Sequence, residues 1–132
     1  MKVLIVEDDA VSLKMIEILM KPYAKTYDLA KDGLIANDYF NKSIDSGDYY
    51  NLVLLDIMLP KMDGQTLLQE FRKKEMENGI TGSKGCKIIM VSALNDAGNI
   101  MEAFKNQCDG YLTKPYNKNS LIAELKKLSL ID

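Results

Sequence analysis

The chain has 132 residues, a formal net charge of −2, and 47% hydrophobic and 27% charged residues. This length suits one domain, residues 1–132, with a single core, and the composition excludes a disordered chain and membrane insertion. The 17 basic residues are scattered without forming a basic stripe, so direct nucleic-acid binding is not expected.

Five short apolar runs are predicted to be β-strands, because each is bounded by polar residues or glycine. In chain order they cover residues 3–6, 27–30, 52–55, 88–91 and 110–112. Each strand is followed by a stretch of helical periodicity, so the pattern is β-α repeated five times. The residues that mark the apolar faces of these helices are Val11, Met15, Ile18 and Leu19, then Ala36, Tyr39 and Phe40, then Leu67, Leu68 and Phe71, then Ala97, Ile100 and Phe104, then Leu121, Leu125 and Leu128.

This alternation predicts an α/β fold with a parallel sheet and helices on both faces, joined by right-handed crossovers. Five strands fit the flavodoxin-like order 2-1-3-4-5, in which the first and third strands are neighbours. Ligands of such sheets bind at the carboxyl ends of the strands, at the point where the strand order reverses. Functional side chains are therefore expected after the first and third strands.

The chain has no histidine and two cysteines, Cys86 and Cys108, which form no CxxC motif. This excludes zinc sites built from histidine and cysteine and every catalytic triad that uses histidine. The cysteines are expected to be free, half-buried thiols in a reducing cytoplasm. The N-terminus, MKVLIVEDD, is too short and acidic for a signal peptide, which agrees with a cytoplasmic location.

Polar residues stand at the ends of four predicted strands: Glu7, Asp8 and Asp9, then Asp56, then Ser92, then Thr113, Lys114 and Pro115. Two carboxylates about 4 Å apart repel by roughly 4 kcal/mol at an effective dielectric of 20, so a facing group of them favours a bound cation. Oxygen ligands without histidine or thiolate suit Mg²⁺, with Mn²⁺ as the alternative ion.

Each of these residues also has a purely structural interpretation. Asp8 or Asp9 could cap the first helix, Asp56 could be a loop residue, and Lys114 could belong to a simple turn before Pro115. Independent caps and turns give no reason for acids, a hydroxyl and a lysine to share one edge of the sheet. The combination therefore favours a functional site.

The segments LIVEDD, LLDIMLPKMDG, MVSAL and YLTKP occur in this order at successive strand ends, and the chain resembles bacterial CheY-like response-regulator receiver domains over essentially its whole length. The resemblance implies a phosphorylation-activated switch of a two-component system, with Asp56 as the phosphoacceptor. It implies that Mg²⁺ binds Asp8, Asp56 and the backbone carbonyl of Met58, and Glu7 through a water. It further implies that Ser92 and Lys114 contact the phosphoryl group, that Tyr111 is the switch aromatic beside Ser92, and that the peptide before Pro115 is cis.

The same resemblance predicts the partners. With no histidine in the chain, the phosphohistidine donor has to be a sensor histidine kinase or a histidine phosphotransfer protein. A downstream protein is expected on the face of the fourth helix, fifth strand and fifth helix. The fifth helix ends almost at the last residue, so a stand-alone receiver is expected, in motility or as a relay intermediate, with a piece of a longer protein as the alternative. Its only predicted catalysis is its own phosphoryl transfer and dephosphorylation.

The chain departs from the resembled pattern in two places. Met58 and Leu94, two positions beyond Asp56 and Ser92, are apolar where the family often carries polar residues, and we hypothesise that they hinder an attacking water and prolong the phosphorylated state. Residues 73–87, KKEMENGITGSKGCK, contain three glycines and are predicted to form a long connection before the fourth strand, a family-specific surface insert with a docking site as the alternative.

Three other functions compete with the phosphorylated receiver. A haloacid-dehalogenase-type phosphatase would need a second acid at position 58, where the chain has methionine. A flavodoxin would need a phosphate cradle after the first strand, where the acidic residues 7–9 would repel phosphate. A degenerate receiver, which binds a partner but takes no phosphate, stays open.

Overall fold

The computed structural model describes residues 1–93 and 97–132. Five parallel strands form one sheet in the order β2-β1-β3-β4-β5, which confirms the predicted order. The strands are β1 (Lys2–Val6), β2 (Thr26–Ala30), β3 (Leu52–Asp56), β4 (Lys87–Ser92) and β5 (Gly110–Thr113). Each is one or two residues longer than predicted, so Asp56 and Ser92 are the last residues of their strands rather than the first residues after them.

Five helices cover the two faces of the sheet: α1 (Ala10–Met20), α2 (Gly33–Ser46), α3 (Gly64–Glu77), α4 (Ala97–Lys105) and α5 (Lys118–Lys127). The side chains of Asp9, Asp32, Asp63 and Asn117 cap α1, α2, α3 and α5, because each accepts a hydrogen bond from a backbone N–H in the first turn. These caps place the starts of four helices at the edge of the sheet where the strands end.

Side chains alternate between two hydrophobic cores along the central strands. Val3 and Ile5 of β1 face the core under α1 and α5, whereas Leu4 and Val6 face the core under α2 and α3. Phe40 of α2 stacks on Phe71 of α3, with ring centroids 4.1 Å apart. Burial on both faces explains why these strands are continuous aliphatic runs rather than alternating ones.

The apolar face predicted for α1 does not form the contact with the sheet. Leu13, Ile16 and Met20 are the buried residues of this helix. By contrast, Val11, Met15 and Ile18 are 75%, 49% and 57% exposed. The predicted face of α4 is also mostly outside the core, since Ala103 is its buried residue and Phe104 is exposed.

The connection predicted at residues 73–87 is shorter than expected. Helix α3 continues to Glu77, and a 3₁₀ turn covers Gly82–Lys84. The helix extends because Glu75 is buried and both its oxygens are bound, one by Arg72 at 2.7 Å and the other by the backbone N–H of Cys86 at 2.8 Å. Arg72 also donates to the backbone carbonyl of Gln107, so α3, the start of β4 and the end of α4 are held together.

No helix in residues 1–93 and 97–132 is both long enough and apolar enough to cross a membrane.

Candidate functional site

Three carboxylates meet where β1 and β3 end. Val6 pairs with Leu55 in the sheet, so the next residues, Glu7 and Asp56, are brought side by side. One oxygen from each of Glu7, Asp8 and Asp56 lies within 4.8 Å of the others. Glu7 and Asp56 are buried whereas Asp8 is exposed, so the acidic cluster opens to solvent on the side of Asp8.

Lys114 reaches this cluster from the end of β5. Its ammonium group forms ion pairs with Glu7 and, at 3.1 Å, with Asp56. Its backbone N–H donates to the carbonyl of Ser92 at 2.8 Å, which anchors the segment after β5 to the end of β4. One lysine therefore offsets part of the charge of three facing carboxylates.

The burial of this cluster shifts the pKa values of two of its groups. Burial and the hydrogen bond with Asp56 raise the pKa of Glu7, and Lys114 opposes this shift. Burial alone would lower the pKa of Lys114, but its hydrogen bond to Glu7 and the charge of Asp56 outweigh this effect and raise it. Lys114 is thus held as a cation, while burial disfavours the charged form of Glu7.

The Asp56 side chain is oriented by its own backbone neighbourhood. One carboxylate oxygen accepts a hydrogen bond from the N–H of Met58 at 3.0 Å, and the other accepts from Lys114. The start of α3 packs directly on the end of β3, since a Cβ atom at Gly64 would lie 2.3 Å from the Asp56 carbonyl oxygen. The N–H of Gly64 donates to the carbonyl of Ile57, which closes the loop between them.

Ser92 and Tyr111, the predicted switch residues, lie on neighbouring strands. Ser92 is fully buried at the end of β4 and pairs with Thr113 in the sheet. Tyr111, in the middle of β5, is partly buried and packs against the core under α2 and α3. Leu94, predicted to flank the phosphoryl group, lies outside the described residues. The Met58 side chain is 59% exposed.

Two smaller predictions have clear outcomes. Asp9, and not Asp8, caps α1, because its side chain accepts from the N–H of Ser12 at 2.9 Å. This leaves Asp8 available to the acidic cluster. The peptide between Lys114 and Pro115 is cis, as the resemblance implies.

An apolar surface beside the opening of the site was not predicted from the sequence. Ala93, Pro115 and Tyr116 form a cavity of about 360 Å³ together with Lys114 and with Ser12 and Met15 of α1. Met15 also belongs to the exposed stripe of α1 described above. The signal in the sequence is that α1 carries two apolar stripes. Leu13, Ile16 and Met20 form the buried one, and Val11, Met15 and Ile18 form an exposed one beside it.

The comparison with known protein families agrees with this geometry. Residues 3–126 match the family described as the response regulator receiver domain. This chain belongs to that receiver family.

Among similar receivers, the regulatory protein VanRB of Enterococcus faecalis is 32% identical over 127 residues, which cover 96% of this chain and 51% of VanRB. The chain therefore spans about half the length of that relative. The Francisella response regulator 1452 receiver domain is 28% identical with a TM-score of 0.75, over 96% of this chain and 94% of that one. The receiver domain of the histidine kinase CKI1 from Arabidopsis thaliana is 22% identical with a TM-score of 0.83, over 97% of this chain and 89% of that one.

Membership of the receiver family removes two of the competing functions. Neither the dehalogenase-type phosphatase nor the flavodoxin is supported, because the family match covers nearly the whole chain. Two alternatives remain: a receiver that takes a phosphoryl group, and a degenerate receiver that only binds a partner. They differ in whether Asp56 can be phosphorylated.

Proposed function

We propose that this receiver domain accepts a phosphoryl group on Asp56 and acts as a switch in two-component signalling in the cytoplasm. The observation that carries the proposal is the buried Asp56 carboxylate, which faces Glu7 and Asp8 and pairs with Lys114. A degenerate receiver, which only binds a partner, does not require this arrangement of charges. The free, buried thiols of Cys86 and Cys108 are consistent with a reducing compartment.

The acidic cluster fits a hard divalent cation, because the three side chains that meet there all offer carboxylate oxygens. We assign Asp8, Asp56 and the Met58 carbonyl as ligands of Mg²⁺, and Glu7 as a group that binds through a water. The CKI1 receiver was solved as a complex with Mg²⁺ and BeF₃⁻, which supports this choice. When bound, the ion offsets the charge of the carboxylates and of the incoming phosphoryl oxygens. Mn²⁺, which prefers the same ligands, is the second ion to test.

In the proposed reaction, a carboxylate oxygen of Asp56 attacks the phosphorus of a phosphohistidine on a sensor kinase or phosphotransfer protein. The P–O bond forms as the P–N bond breaks, the electron pair of the P–N bond stays on the imidazole nitrogen, and that nitrogen takes up a proton. An acyl phosphate remains on Asp56. Lys114 exchanges its contact with Asp56 for a phosphoryl oxygen, while Glu7 continues to hold the ammonium group in place.

Switching follows from the new phosphoryl oxygens. Ser92 donates its hydroxyl to one of them, and Tyr111 adjusts on the neighbouring strand. A hydrogen bond to a charged group contributes about 1.5–3 kcal/mol, whereas moving a population from 1:99 to 99:1 requires about 5.5 kcal/mol. The response is therefore a graded population shift, which a downstream protein reads on the face of α4, β5 and α5.

The exposed stripe of α1, made of Val11, Met15 and Ile18, is the surface on which we expect the phosphodonor to dock. Met15 of this stripe lines the same cavity as Lys114, so we expect a partner that delivers a phosphoryl group to Asp56 to contact the stripe. Ile18→Lys is expected to slow transfer from a phosphohistidine protein while leaving labelling by acetyl phosphate unchanged. Leu34→Lys, which alters an equally exposed apolar residue on α2, is the matched control.

The lifetime of the acyl phosphate is expected to depend on Met58 and Leu94. An apolar side chain at these positions obstructs a water that would attack the phosphorus from the open side. The double variant Met58→Asn with Leu94→Glu should lose phosphate faster than the wild type. An unchanged or slower loss would contradict this part of the proposal.

Labelling by a small phosphodonor tests the function as a whole. The protein is incubated with acetyl phosphate in Mg²⁺ or in EDTA, and its intact mass is measured. We expect one phosphoryl group in Mg²⁺ only, and none on Asp56→Ala. Asp63→Asn, which keeps the cap of α3 and lies outside the acidic cluster, should be labelled normally. A wild-type protein that stays unlabelled in Mg²⁺ would be a docking module and would overturn the proposal.

A further inference from the structure

We propose that the start of α2 positions the loop between β3 and α3, residues 57–63, and through it the Met58 carbonyl that binds Mg²⁺. The inference rests on the proposed function and assigns a role to Gly33, which lies outside the acidic cluster. Gly33, the first residue of α2, and Asp32, the residue that caps it, both contact the loop. Gly33 is the positioning residue in this scheme, and the loop backbone is what it positions.

Gly33 permits a contact that no other residue would allow. A Cβ atom added at this position would lie 2.3 Å from the carbonyl oxygen of Met62 and 2.7 Å from its Cβ. The first of these atoms belongs to the backbone, so the clash cannot be relieved by turning a side chain. Any larger residue would push either the loop or the start of α2 away.

Asp32 adds a polar link between the same two segments. One of its oxygens caps α2 by accepting the N–H of Ile35 at 2.9 Å, and the other forms an ion pair with Lys61 at 3.3 Å. Lys61 has a left-handed backbone with φ of 69°, a conformation that a residue with a Cβ adopts only when its surroundings hold it. The ion pair with Asp32 and the packing of Met62 supply this restraint.

The two ends of the loop are also held close to Asp56. The N–H groups of Leu59 and Gly64 both donate to the carbonyl of Ile57, and Gly64 packs against the backbone of Asp56. Met58 lies between these contacts with its side chain mostly in solvent. The position of its carbonyl is therefore set by the path of the loop and by the contact of Met62 with Gly33, and not by packing of the Met58 side chain.

Titration calorimetry of Mg²⁺ binding to Gly33→Ala tests the inference. We expect the Kd to rise about tenfold, as when a supporting group around a metal is removed. Labelling by acetyl phosphate should return to the wild-type level once Mg²⁺ saturates the variant, because Asp56 and Lys114 are unchanged. A purely structural role would lower the thermal midpoint without this shift in Kd.

Gly47→Ala provides the matched control at the other end of α2. Gly47 has φ of 77°, and apart from its chain neighbours no atom of the described residues lies within 4 Å of an added Cβ, so alanine strains the backbone there without touching the loop. We expect a lower thermal midpoint and an unchanged Kd for this variant. If Gly33→Ala does not fold, Met62→Gly, which removes the side-chain part of the contact and creates no clash, should also raise the Kd.

The outcomes separate this inference from the proposed function. A wild-type protein without Mg²⁺ affinity would overturn both. The role of Gly33 alone is overturned if the wild-type protein binds Mg²⁺ and Gly33→Ala binds it equally well. Met62→Gly takes the place of Gly33→Ala in this comparison if that variant does not fold. A rise in Kd shared by Gly47→Ala would also overturn it, because the effect would then follow from general destabilisation.

Discussion

Replacing Asp8 by asparagine should stabilise the metal-free fold and at the same time remove its stabilisation by Mg²⁺. Asp8 faces two other carboxylates, with one oxygen of each within 4.8 Å, whereas the ion pairs of Lys114 in the described residues are with Glu7 and Asp56. Without a cation the charge of Asp8 is therefore mainly repelled. With a cation bound as proposed, the same carboxylate becomes a ligand of the ion.

The magnitude follows from Coulomb's law. Two unit charges 4.8 Å apart repel by about 3.5 kcal/mol at an effective dielectric of 20. Asp8 is exposed and Lys114 offsets part of the field, so we expect a net gain of about 1 kcal/mol for Asp8→Asn in EDTA. In the wild type, Mg²⁺ at 100 times its Kd adds about 2.7 kcal/mol, a gain that the variant should largely lack.

Urea unfolding followed by circular dichroism, in EDTA and in Mg²⁺, measures both effects. Asp9→Asn is the matched control, because asparagine keeps the cap of α1 and Asp9 does not belong to the acidic cluster. This control should show the wild-type response to Mg²⁺. A variant at Asp8 that is less stable than wild type in EDTA, or that gains as much from Mg²⁺, would refute the electrostatic interpretation of the site.

Three further outcomes are expected. Burial raises the pKa of Glu7 above its ordinary value of 4.5. At a pH between 4.5 and the raised pKa, Glu7 of the folded metal-free protein therefore holds a proton that the unfolded chain has lost. Its stability should fall as pH rises through that interval, and urea unfolding in EDTA should show a flatter profile for Glu7→Gln; an equal slope would contradict this. Burial also raises the pKa of Cys86, and that of Cys108 to about 12, so neither thiol should react with Ellman's reagent before unfolding, and fast native labelling would argue against the core packing. Finally, Phe71→Ala, at a fully buried stacked ring, should cost about 3–5 kcal/mol in urea unfolding, whereas the exposed Phe104→Ala should cost little.

The strand order could be predicted from sequence because every strand is a short apolar run followed by a helical stretch. The strand ends could not, because backbone pairing continues past the last apolar side chain. Lys2, Asp56 and Ser92 all belong to strands, since their positions in the sheet pair with neighbours. Pairing of the backbone does not depend on side-chain polarity, so an apolar run marks the minimum length of a strand.

The helix faces were harder to predict, and α1 shows why. Its sequence, AVSLKMIEILM, contains two apolar stripes with helical spacing. The prediction assigns the stripe of Val11, Met15 and Ile18 to the core, whereas Leu13, Ile16 and Met20 are the buried residues. Periodicity gives the width of an apolar face but not the direction in which the helix lies on the sheet. That direction follows from the short turn after β1, where Asp9 caps the helix.

The prediction of where α3 ends was wrong for a different reason. The segment KKEME is charged and precedes three glycines, which is typical of a loop. Its central acid, Glu75, is buried because Arg72 and the backbone of Cys86 satisfy both its oxygens. A buried charge of this kind is stable only with its partners in place, and one of those partners belongs to another element of the fold.

The site also has a part that could be predicted from sequence, the residues at the strand ends, and a part that could not, the contact that holds the loop after β3. Glu7, Asp8, Asp56, Ser92 and Lys114 could be predicted to meet because parallel strands deliver their last residues to one edge of a sheet. The contact between Gly33 and Met62 has no such rule, since it joins the start of α2 to the loop after β3, and their separation is set by packing. The functional residues at strand ends can thus be predicted from the sequence. The position of a loop carbonyl such as that of Met58 cannot, because it depends on contacts that form only in the folded chain. A single methyl group at Gly33 should therefore change metal affinity while every proposed ligand of the metal stays the same.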